Sequence, residues 1–190
     1  MPFRFHNTII LSFFTILLCN LSYAQPNEGK FIEGSIGFGI VAPYEEFDIE
    51  TDGFYLQSEY VIGVSTWFGV RPYAGIIFAS GEVKDNLTNE ATYSIKSNAF
   101  LIGVKTRICA PIPWVAPYLE VGIGASLGSF ETFTPSANLE KSGVLSHIPV
   151  SLGLAIGKQH RFEVEFCYYY HNAVEQFSGA FAFGYSFPLD

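Results

Sequence analysis

The chain has 190 residues, 49% hydrophobic and 17% aromatic, with 18 acidic against 10 basic side chains and a formal net charge of −8. A chain this acidic lacks the basic face that phosphate contacts need, which excludes nucleic-acid binding as its business. The length is that of one domain.

Residues 1–24 read as a cleaved secretory signal: Arg4 and His6 in a short polar start, the apolar run Ile9 to Cys19, then Ser22-Tyr23-Ala24 before Gln25. Ser12 and Thr15 interrupt that run, and it is shorter than the roughly 18 to 20 residues that carry a helix across a bilayer. Leu18 before Cys19 is too large for the small residue of a lipoprotein signal, so no lipid anchor is expected. Residues 25–190 form the mature domain. After residue 24 no apolar stretch approaches helix-spanning length, so a membrane protein of this composition must cross with strands.

Strand patterns follow one another along the mature chain. The first, from Phe31, alternates Ile32, Gly34, Ile36, Phe38 and Ile40 with Glu33, Ser35, Gly37 and Gly39, and an acidic loop, 42–53, follows it. The second, about 54–67, sets Leu56, Tyr60, Ile62 and Val64 against Gln57, Glu59, Gly63 and Ser65, and ends in the tight Phe68-Gly69-Val70-Arg71-Pro72. The third, Tyr73 to Gly81, is nearly continuous in apolar residues, so its phase is open. A polar loop, 82–92, separates it from the fourth, about 93–108, with Phe100, Ile102, Val104 and Ile108 opposite Ser97, Ala99, Gly103, Lys105 and Arg107. The turn after it holds Pro111 and Pro113, which cannot continue a ladder. In the fifth, Leu119, Val121, Ile123, Ala125 and Leu127 oppose Tyr118, Glu120, Gly122, Gly124 and Ser126, and loop 129–143 follows. The sixth opposes Ile148, Val150, Leu152 and Leu154 to His147, Ser151, Gly153 and Ala155, and the seventh Phe162, Val164, Phe166, Tyr168 and Tyr170 to Arg161, Glu163, Glu165, Cys167 and His171. After loop 172–178, the eighth sets Phe181, Phe183, Tyr185 and Phe187 against Ala180, Ala182, Gly184 and Ser186.

Successive side chains of a strand point to opposite faces, so each pattern has one apolar face and one small or charged face. Connections alternate long and short. That segregation fits an eight-stranded antiparallel up-and-down transmembrane β-barrel with short periplasmic turns and longer extracellular loops. The competing reading is a soluble, lipocalin-like barrel, which would bury the apolar face and build its outside from Gly, Ala, Ser and charge.

Pro117-Tyr118-Leu119-Glu120-Val121-Gly122-Ile123-Gly124-Ala125 and Phe183-Gly184-Tyr185-Ser186-Phe187 resemble the small outer-membrane β-barrel proteins of Gram-negative bacteria. The resemblance is a pattern over the whole mature chain. It implies an integral outer-membrane location with membrane lipid as surroundings, and assembly by the barrel-insertion machinery, whose signal in the last strand falls at Tyr185 and Phe187. The chain departs from that signal at Ala182, where glycine is usual, and in running on through Pro188-Leu189-Asp190.

On this phase the lumen receives Glu33, Glu59, Glu120, Glu163 and Glu165 with Lys105, Arg107 and Arg161 as counter-charges. An eight-stranded barrel is only wide enough for side chains to fill, so these read as an ion-pair plug, with Arg107 facing Glu120 across the Pro111 to Pro113 turn. A gate or proton path is the sharper alternative. His147 and His171 face inward near the outer rim, with no third or fourth metal ligand at a recognisable spacing. No cofactor is expected. Cys109 and Cys167 fall on non-adjacent strands and read as free thiols. Lipid A deacylases, also eight-stranded barrels, carry a His-x-Ser-Asn pattern; here His171-Asn172-Ala173 has Ala173 where the serine belongs. The expected function is therefore that of a non-porin, non-enzymatic barrel displaying its loops to an extracellular partner, with a small-ligand-binding lumen as the alternative.

Overall fold

The computed structural model describes residues 29–43, 51–84, 91–133, 138–174 and 176–189. The expected signal, residues 1–24, lies outside them. Eight strands, β1 (Gly29–Pro43), β2 (Thr51–Ser65), β3 (Phe68–Lys84), β4 (Ala91–Cys109), β5 (Val115–Phe133), β6 (Asn138–Ile156), β7 (Phe162–His171) and β8 (Gln176–Pro188), pair in chain order. All pairings are antiparallel, and β1 pairs with β8, so the barrel is closed and no edge is left.

The ladder is staggered. The row Glu33, Glu59, Tyr73, Gly103, Gly124, His147 climbs from β1 to β6; past β7 it reaches Gln176 of β8, whose β1 partner is Pro43, ten residues beyond Glu33. Such a shear accompanies strand tilt and sets the lumen's width. It also means that a residue low on β1 shares its row with one high on β6.

Two prolines interrupt the wall. Pro72 in β3 coincides with the loss of β2–β3 pairing between Glu59–Tyr73 and Ile62–Val70, and Pro149 in β6 with its loss between Val121–Val150 and Gly124–His147. Pro149 still faces Tyr169 on β7, so the missing donor belongs to the β5 side.

Which face meets the surroundings decides between the two barrels. Val121 and Ile123 are 43% and 74% exposed, whereas Ser126 is fully buried. Ile36, Leu56, Ile102, Leu152 and Phe183 lie on the exposed outside, while Glu33, Glu59, Lys105 and Glu120 lie within. A soluble barrel requires the reverse. The outer face is a lipid-facing surface, with Trp67, Trp114, Phe162 and Phe187 exposed at the end that carries the short turns.

Three sequence expectations need correction. The expected loops are partly strand: within the third, 129–143, Gly128 to Phe133 pair with Gly143 to Asn138, and β1, β2, β3, β4 and β8 likewise extend into 42–53, 82–92 and 172–178. These stretches mix Gly, Ser, Lys and Glu with few apolar residues, so their pairing leaves no strict alternation to read. The third strand has a definite phase, with Tyr73, Ile77 and Ala79 inward and Phe78 outward. Its inward face is apolar too, which hid the period. The tight segment 68–72 is the start of β3 and not a turn; the turn is Thr66–Trp67.

Candidate functional site

The lumen is filled in tiers. In the half nearest the short turns, alternation along β1 to β5 and β7 sends Glu33, Glu59, Arg71, Lys105, Arg107, Glu120, Glu163 and Glu165 inward, each buried to 3% exposure or less. Arg107 Nε stands 2.6 Å from Glu120 Oε1, and its two Nη atoms grip Glu163 in a fork of 2.8 and 2.6 Å. Lys105 Nζ bonds Glu59 and lies 2.6 Å from Glu120 Oε2. The centre is Arg71: it bonds Glu33 and reaches Glu59 at 3.0 Å, Glu163 at 3.4 Å and Glu120 at 3.5 Å. The Arg107 guanidinium lies 3.5 Å above the Tyr118 ring, closing the lumen below the cluster.

Arg71 was not anticipated, and the expected counter-charge Arg161 is displaced by it. Arg161 precedes β7, is only half-buried, and forms no ion pair among the described residues; its Nε lacks a hydrogen-bond partner. Read as part of a turn, Arg71 had no face. The signal that could have found it is parity: counted back from Tyr73, it is an inward position of β3. Glu165 lies in the cluster, but neither of its carboxylate oxygens accepts a hydrogen bond.

Above the charges runs a polar chain. Gln57 Nε2 donates to Glu59 at 2.8 Å, Tyr169 Oη donates to Gln57 at 2.6 Å, and Tyr169 meets Tyr55 Oη at 3.0 Å. Beside it Tyr73 Oη contacts His147 Nε2 at 2.5 Å, and Ser126 Oγ bridges His147 Nδ1 and His171 Nε2, both at 2.7 Å. Tyr73 reaches His147 because Gly103 and Gly124 stand between them in the row: a Cβ on Gly124 would fall on both His147 Nε2 and Tyr73 Oη. Ile77, Leu101 and Phe130 are buried in an apolar cluster in this half, and farther out on β5 Thr132 Oγ1 lies 2.9 Å from the Val174 carbonyl.

The serine-to-histidine contact has hydrolase ingredients that local sequence spacing does not show. Ser126 and His171 are fully buried, and a backbone group of Tyr169 interacts with the His171 ring. Among the described residues no cluster of His, Cys, Asp and Glu has the geometry of a metal centre. Cys109 and Cys167 are buried on β4 and β7 and form no disulfide. Outside the membrane span, in the turn 157–161, His160 contacts the Ile112 carbonyl at 2.9 Å and burial lowers its pKa. Beside it lies a cavity of about 30 Å³ lined by Arg71, Arg107, Tyr118 and His160, roughly one water's share of liquid volume.

A closed antiparallel barrel of eight strands with an apolar outside and a charged inside is an integral outer-membrane β-barrel. No family model and no curated protein matches the sequence. Solved structures do resemble it: the attachment invasion locus protein Ail of Yersinia pestis (18% identity, TM-score 0.46, covering 85% of this chain and 100% of that one); Neisserial surface protein A (11%, 0.49, 87% and 100%); and the outer membrane enzyme PagL (14%, 0.47, 83% and 99%). Likeness at this level concerns barrel shape alone.

Proposed function

We propose that the chain is a non-conducting, non-enzymatic display barrel, exported by residues 1–24, inserted through the aromatic ending at Tyr185 and Phe187, and presenting its outer hairpins to a partner outside the cell. The observation that carries this is the filled lumen. Eight buried charged side chains occupy its lower half, and aromatic, aliphatic and hydrogen-bonded polar side chains its upper half, which supports a lumen without an aqueous path or space for a ligand. What remains for recognition is the outer end, where β5 and β6 run on as a hairpin from Gly124 and His147 to Phe133 and Asn138 while β7 has already turned at Asn172. The sequence of 42–53 adds five acids, Glu45, Glu46, Asp48, Glu50 and Asp52, a charge suited to a basic partner.

Planar-bilayer recording of the purified protein should show no sustained conductance; porin-sized steps would refute a sealed lumen. Cells expressing the barrel with residues 129–142 replaced by a short turn should lose adherence while the barrel still migrates differently unheated and boiled. Unchanged adherence after that replacement and after neutralising the acids of 42–53 would remove the display role.

A further inference from the structure

The lipid-facing wall carries a groove of about 720 Å³ spanning β4 to β7. Its sides are two outward rows one step apart. On the side of the short turns stand Val104, Ile123 and Ile148, all exposed and apolar, followed by Tyr170. On the extracellular side Ala125 and Ser146 are small, and Asn172 ends the row at the β7–β8 turn. Between the rows the floor is the backbone of Gly103 and Gly124 together with His147.

Here the wall itself is thin. This is where the β5–β6 ladder lacks its Gly122–Pro149 and Ile123–Ile148 pairs, and where Gly103 and Gly124 contribute no side chain of their own, the inner face being covered by Tyr73 and His147. Polar groups of the groove, Ser146, Asn172 and the Tyr170 hydroxyl that reaches Asn172 Oδ1 at 3.4 Å, lie on the extracellular side, and the apolar ones lie deeper.

We propose that this groove seats one acyl-ester lipid of the outer leaflet, its ester against Ser146, Tyr170 and Asn172 and its chain along Val104, Ile123 and Ile148. The polarity gradient selects the occupant. A lipid of that leaflet presents its ester toward the outside and its hydrocarbon toward the midplane, the order in which the lining changes, whereas a flat protein face would find no bulk to fill the depression between the rows. The seat is independent of the display role, since it involves the wall and not the loops.

Native mass spectrometry of the detergent-purified protein with added 1-palmitoyl-2-oleoyl-phosphatidylethanolamine tests it. The wild-type barrel should retain a single lipid, and filling the depression with Ala125→Phe and Ser146→Phe should lower retention about tenfold. Ile36→Phe, on the wall of β1, should leave retention unchanged. Ile148→Trp is a second filling variant should the first not fold, folding being read from heat-dependent migration. A filled barrel that keeps its lipid, a wild-type barrel that keeps none, or equal loss in the Ile36→Phe variant would overturn the assignment.

Discussion

Arg71 bonds or faces four carboxylates contributed by β1, β2, β5 and β7. Charges enclosed by a barrel wall cannot escape to water, so removing one partner leaves the others uncompensated. Arg71→Ala should therefore cost about 3 to 5 kcal/mol in urea unfolding from lipid vesicles. Arg161→Ala, at a half-buried side chain without an ion pair among the described residues, should stay within about 0.5 kcal/mol. Glu165→Gln removes a buried charge whose oxygens have no hydrogen-bond partner, and is expected to be neutral or to stabilise by about 1 kcal/mol; strong destabilisation would show that the carboxylate has a role in the cluster that its contacts do not reveal. At the other tier, Gly124→Val drives a methyl into the Tyr73 to His147 contact and should cost about 1 to 3 kcal/mol.

Among the elements, what could be read from sequence depended on where a strand lies. Inside the membrane the two faces see lipid and lumen, and β5 and β8 announce themselves through strict alternation. Along β3 both faces are apolar over residues 76–79, so its parity, and with it Arg71, was lost. Farther out the Gly128–Phe133 and Asn138–Gly143 ladder mixes Gly, Ser, Lys and Glu with its few apolar residues, and although Phe130 and Thr132 still point into the lumen it looked like loop. The lumen charges followed from parity alone, except for that one arginine and for Arg161, which stands one position before the ladder begins. The Ser126, His147 and His171 contact was not legible, because a shear of ten brings together residues whose sequence separations carry no motif. Pro149 makes an element-scale prediction. Pro149→Val supplies the donor missing from the β5–β6 ladder and should raise stability by about 1 kcal/mol, measured by the same urea titration, while Pro117→Val, whose residue sits within an intact stretch of that ladder, should gain less.

For the molecule as a whole, the orientation of its two faces is directly measurable. With Cys109→Ser and Cys167→Ser as background, probes on Val121→Cys and Ile123→Cys should be quenched by lipid-chain quenchers and a probe on Ser126→Cys should not; the opposite pattern would turn the barrel inside out. The wiring of Arg71 has a further consequence, in time and not in space. Its carboxylates come from strands on both sides of the β1–β8 seam, so the cluster is incomplete in any sheet that has not yet closed. An open, half-inserted sheet would hold charges in hydrocarbon without their partners, a state too costly to populate. Closure and charge neutralisation must then be a single cooperative event, and refolding into vesicles should show one exponential phase in which tryptophan burial and the heat-resistant form appear together. In Arg71→Ala that phase should slow, because the residue that rewards closure is gone.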